Sequence, residues 1–151
     1  MKILGFSDTF KDLSVTLLKV TFSVLLCYII INVNTYFIMY LPLFAAICVI
    51  GPLIEEYAKR LSIINKFPLI FIAVFTSVEF ILYVTSDNDL MYSPYFIYAR
   101  YMGVLMHFFT MYIQISFRKI SVKYNRPVYD IIGFASAYAY HGISNYMAVF
   151  G

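Results

Sequence analysis

Apolar residues run along this chain in five long stretches separated by short polar breaks. Runs of this length are too long for strands, and about 20 apolar residues suffice for a helix to cross the hydrocarbon of a bilayer. The first stretch is expected from about Leu13 to Ile31, with Lys19 able to extend its ammonium to the interface. Asn32–Val33–Asn34 reads as a turn. The second stretch is expected from about Tyr36 through Leu41 to Ile64, with Pro52 kinking it one turn before Glu55. Asn65–Lys66–Phe67–Pro68 reads as a tight connection, Pro68 suiting the first turn of the next helix. The third stretch is Pro68 to about Thr85 and the fourth about Pro94 to Phe117. Pro127 opens the fifth, which carries His141 and Asn145. Residues 1–12 are mildly amphipathic and suited to an interface, and the apolar run after them exceeds a signal peptide's core, so it reads as a retained anchor.

Composition places this pattern in a membrane. The 151 residues are 62% hydrophobic and 13% charged, where soluble domains carry about 25% charged residues. The expected fold is therefore all-α: a polytopic membrane helix bundle of about five transmembrane helices, in a single membrane domain over residues 1–151. Cys27 and Cys48 lie inside apolar runs and imply no disulfide framework. No basic, aromatic-interleaved patch suggests a nucleic-acid partner. Basic residues fall in the N-terminal tail (Lys2, Lys11), at the 59–66 corner and in the 118–126 loop, whereas the 86–93 loop is acidic. Five alternating spans put the three basic regions on one side. The expected topology is multi-pass, N-terminus cytoplasmic and C-terminus outside, with the lipid bilayer as surroundings.

Polar residues inside the spans carry the chemistry. The three glutamates (Glu55, Glu56, Glu79) and two histidines (His107, His141) all fall within expected spans, whereas the five aspartates fall in tails, loops or the first turn of the fifth stretch. An ionisable side chain at the bilayer centre costs about 2.5–3.5 kcal/mol on insertion scales, so such residues mark function. At about 1.5 Å per residue, Glu55, Glu79, His107 and His141 converge near the same depth. Arg100, Gly103 and His107 share one helix face, as do His141 and Asn145. Glu55 with Lys59 and Glu56 with Arg60 are i,i+4 spacings suited to intrahelical ion pairs. Small residues Gly133, Ala135, Ser136, Ala137 and Ala139 suit close helix approach.

Spacing alone leaves several readings open. The polar groups can be interhelical glue, a relay for protons or cations in a small transporter or channel, or a hydrolytic site in which Glu and His activate water. A metal variant would use Glu55, His107 and His141 on a divalent ion such as zinc. There is no HExxH, CxxC or GxSxG motif.

Four ordered motifs narrow these readings. Gly51-Pro-Leu-Ile-Glu55-Glu56-Tyr-Ala-Lys59-Arg60 resembles the Glu-Glu-x-x-Lys signature of PrsW-type intramembrane proteases and the Glu-Glu-x-x-x-Arg form of the wider ABI/CAAX prenyl protease superfamily. Phe75-Thr-Ser-Val-Glu79 with Tyr83 is similar to the second PrsW motif, Arg100 with His107-Phe-Phe-Thr110 to the third, and His141-Gly-Ile-Ser-Asn145 to the last. Phe80 stands where the family often has Asn. The resemblance implies a catalytic core over about 41–149 and an endopeptidase that cuts a membrane-embedded protein or peptide substrate. It implies that Glu55 and His107 hold and deprotonate the attacking water, and that His141 and Asn145 stabilise the oxyanion. Glu56, Lys59, Arg60, Glu79 and Arg100 would support them. The alternatives are a small proton- or cation-conducting transporter or channel, and a non-catalytic immunity or binding role on the same scaffold.

Overall fold

The computed structural model describes residues 6–86 and 94–151. The expected acidic loop at 87–93, the first five residues and the Tyr83 side chain lie outside what it describes. The described chain is all-α, with helices α1 (Phe6–Tyr40), α2 (Gly51–Ile64), α3 (Pro68–Ser86), α4 (Pro94–Tyr124) and α5 (Val128–Phe150), and no strand. A π-helical stretch, Ala45–Ile50, leads directly into α2.

The break between the first two stretches differs from expectation. Asn32–Val33–Asn34 is helical, and α1 continues to Tyr40. Asn32 stays within the helix by donating its amide to the Tyr28 carbonyl at 2.7 Å, and isolated polar residues do not end a helix whose backbone bonds are intact. The chain breaks instead at Leu41–Pro42, where the proline ring disfavours helical geometry in the residue before it. The second expected stretch therefore begins after Pro42 rather than around Tyr36–Leu41.

The 65–68 connection is tight as expected, whereas most of the expected 118–126 loop is helix: α4 runs past Phe117 to Tyr124, no Gly or Pro breaking it, and only the residues after Tyr124 make the link to α5. Lys66 (φ 63°) and Asn125 (φ 52°) adopt the left-handed conformation. Phe67 N–H then bonds Ser62 C=O at 2.9 Å, and Arg126 N–H bonds Ser121 C=O at 3.0 Å. Both are Schellman closures, followed at once by a proline that starts the next helix. Such short links return α3 onto α2 and α5 onto α4.

α5 packs along α4, α2 and the π-helical stretch, while α1 packs on α3. The apolar core lies between α1, α2, α3 and α4: Cys27, Ile30, Ala58, Phe71, Ile72, Phe75 and Met111. Of the small residues expected to mediate approach on α5, Gly133 and Ala137 are buried, whereas Ala135, Ser136 and Ala139 are exposed. Gly133 abuts Phe117, and Gly142, not among the expected set, lies against the Cys48 carbonyl so that a Cβ would come within 2.5 Å of it. The outer faces are apolar: Leu18, Met39, Leu69, Tyr112 and Met147 are all exposed. Among the described residues, one helical segment, Asp12–Tyr40, is long and apolar enough to cross a membrane by length and composition, and Pro68–Leu82 is a shorter apolar helix.

Candidate functional site

α2, α3, α4 and α5 each contribute an ionisable side chain to one buried cluster, and α1 adds Asn34. Glu56 is its hub. Fully buried, it accepts from Lys59 Nζ at 2.5 Å and from Gln114 Nε2 at 2.7 Å. His141 Nδ1 lies 2.7 Å from the same Oε1 that Lys59 reaches. Lys59, also fully buried, directs its three N–H bonds at Glu56, Thr110 Oγ1 (2.7 Å) and His107 Nδ1 (3.1 Å). An ammonium has three donors, so these partners complete it. The expected i,i+4 pairing is thus corrected: Lys59 pairs with Glu56 at i,i+3. Arg60 pairs across the bundle with Asp130 at 2.6 Å, where Arg118 joins it at 3.3 Å. Both helical spacings reach the acid, and the tertiary partner decides.

These partners fix the imidazoles. Nδ1 of His107 faces an ammonium and must accept, so Nε2–H donates to Glu79 Oε2 at 2.8 Å. Nδ1–H of His141 donates to Glu56, which leaves Nε2 as a bare lone pair. That nitrogen lies 3.6 Å from Glu55 Oε2. Glu55 is held on its other oxygen, Oε1, by Asn34 Nδ2 at 2.9 Å. Its Oε2 is buried without a hydrogen-bond partner among the described residues. Two acceptors facing each other at this distance attract a proton donor.

Asn145 sits one turn beyond His141, with its amide on the Ile47 carbonyl at 3.0 Å. The reason lies in the π-helical register. Gly51 N–H bonds Ala46 C=O, five residues back. The next bond in that register would run from residue 52 to Ile47, and Pro52 has no N–H to give. Asn145 fills the gap left by Pro52. The kink expected at Pro52 is accordingly a widened π-helical turn ahead of it. The second N–H of the Asn145 amide is not used by this bond.

Glu55, His107 and His141 each bring a ligand-capable atom within 4.8 Å of the others. The donor set does not suit a divalent ion. Both His107 nitrogens are committed, one to Glu79 and one to an ammonium 3.1 Å away, and a cation there would meet the Lys59 charge. That leaves two ligand atoms, Glu55 Oε2 and His141 Nε2, where zinc sites take at least three.

Of the residues expected from sequence, Glu55, Glu56, Lys59, Glu79, His107 and His141 meet in this cluster. Arg100 lies beside Glu79, lining the same small crevice between α3 and α4. Arg60 lies apart, over the Phe134 ring and on Asp130. Sequence reasoning missed Asn34, Thr110 as a Lys59 acceptor, and Gln114. Asn34 was read as a turn residue and lies outside the expected core of 41–149. The signal available was that Asn32 and Asn34 stand in a run that no Gly or Pro breaks before Pro42. Comparison with protein-family models, curated proteins and solved structures finds no match.

Proposed function

We propose that the chain is a multi-pass membrane protein of the PrsW type, within the ABI/CAAX protease superfamily, and that it hydrolyses a peptide bond of a membrane-embedded substrate. Embedding is supported by the apolar outer faces on every helix; soluble monomers rarely expose contiguous apolar patches above a few hundred Å2. α2 to α5 carry the polar cluster, which lowers their apolarity and is the expense a functional membrane core accepts. In this reading the five helices alternate, with the N-terminus cytoplasmic and the C-terminus outside.

The observation that carries the hydrolase reading is the buried, unpartnered Glu55 Oε2 facing the lone pair of His141 Nε2 at 3.6 Å. A water between them donates one hydrogen to each. Glu55 takes the first proton as the water oxygen bonds to the scissile carbonyl carbon, and the carbonyl π pair moves onto its oxygen. The second N–H of Asn145 stabilises that oxyanion. When the C–N bond breaks, the proton held by Glu55 passes to the departing amine. Water activation thus falls to Glu55 with His141. His107, locked between Lys59 and Glu79, shapes the pocket instead.

A mass-spectrometric comparison of membrane peptides from cells carrying the natural chain and Glu55→Gln tests this. Cut products specific to the natural chain are expected, and they should persist with a strong divalent-metal chelator. A second reading has its own support: Glu79, His107, Lys59, Glu56 and His141 form one continuous chain of hydrogen bonds, the arrangement of a proton relay. Proton flux into liposomes that is lost with Glu79→Gln, with no cut product, would favour it.

A further inference from the structure

A hydrolase buried among helices needs a supply of water, and one member of the cluster is less enclosed than the rest. The Glu79 side chain is 29% exposed, against 2% or less for His107, His141, Glu56 and Lys59. It opens into a crevice between α3 and α4 lined by Glu79, Phe80, Arg100, Gly103 and Val104. The crevice holds about 20 Å3, and a polar space of roughly 10–15 Å3 accommodates one water. Its polar walls are a carboxylate and a guanidinium. Gly103 forms the open side: a Cβ there would meet no atom within 4 Å.

We infer that this crevice is the route by which water reaches the site, from the end of the bundle where α4 begins. Arg100 and Gly103 lie between that end and His107, one helical turn apart. A carboxylate and a guanidinium facing lipid at this depth would each cost several kcal/mol, whereas a wet crevice hydrates both. The crevice ends at Glu79, whose 2.8 Å bond to His107 leaves one imidazole between it and Glu55 (His107 Nδ1 to Glu55 Oε2, 4.0 Å), so water passes onward when that bond opens. The purpose assigned to the water rests on the hydrolase reading above, but the route itself is tested without it.

The test is labelling of Gly103→Cys in a Cys27→Ala, Cys48→Ala background, in sealed proteoliposomes of known orientation, with a membrane-impermeant cationic methanethiosulfonate. Only a thiolate reacts, and thiolates form where water reaches. Gly103→Cys should label at least about tenfold faster than Leu105→Cys, an exposed apolar position on the same helix, and from the side where α4 begins. Val104→Cys, on the crevice wall, should follow Gly103→Cys. Equal rates at positions 103 and 105, or labelling of position 103 only from the opposite side, would overturn the route. Labelling without any peptide cleavage would leave the route standing and remove the hydrolase reading.

Discussion

At the scale of single residues, the cluster works by commitment: each partner that satisfies one atom decides what a neighbour can do. Lys59 is the plainest case. Lys59→Met would leave Glu56 buried beside His141 without its cation, a change that costs about 3–5 kcal/mol for a buried pair. Arg60→Met, which removes a side chain that is 29% exposed, should cost no more than about 1 kcal/mol. Thermal unfolding in detergent should rank the two accordingly. Asn34 acts on Glu55 alone. Asn34→Leu should lower kcat while leaving KM near its natural value, because the lost bond orients a base and touches no substrate; an equal rise in KM would argue against that role. The glutamates and histidines were legible in the sequence because charge inside an apolar run is costly and so conspicuous. Their pairings were not. Spacing allows Lys59 both Glu55 and Glu56, and only His107 and Thr110, arriving on another helix, settle the choice.

At the scale of elements, the junction between the π-helical stretch and α2 governs the site. The sequence shows Pro52 and a coming distortion. It does not show that the distortion takes a π register, nor that an amide 98 residues away closes it. The two facts predict an interaction. In the natural chain Asn145→Ala strands the Ile47 carbonyl. In a Pro52→Ala background residue 52 supplies an N–H of its own, so Asn145→Ala should cost about 1 kcal/mol less there. Strictly additive losses in a double-mutant cycle would contradict the capping role. Gly142 guards the same junction, since its missing side chain lets α5 meet the Cys48 carbonyl. Gly142→Val should destabilise by about 1–3 kcal/mol through overpacking, measured as a lowered Tm. The helix break at Pro42, misplaced to residues 32–34 from polarity alone, teaches the same lesson: backbone geometry stops a helix more reliably than an asparagine does.

At the scale of the whole molecule, four of the five helices converge acids and imidazoles from separate segments on one pocket, α1 adding an amide, while the outer faces stay apolar. That convergence was legible from equal depths along the stretches, since rise per residue is fixed. What the sequence could not carry was the rotation of each helix about its axis, which decides that His141 rather than His107 keeps a free ring nitrogen. The proposed topology places the termini on opposite faces, so tags at the two ends should be reached from opposite sides of sealed vesicles. The central claim is that Glu55 activates water to cut a peptide bond. Its most direct measurement is incubation of the reconstituted protein with membrane peptides in water enriched in oxygen-18, read by mass spectrometry. The account predicts new peptide ends carrying oxygen-18 at the carboxyl terminus with the natural chain and none with Glu55→Gln. Labelled ends produced equally by Glu55→Gln, or none produced by the natural chain, would contradict it.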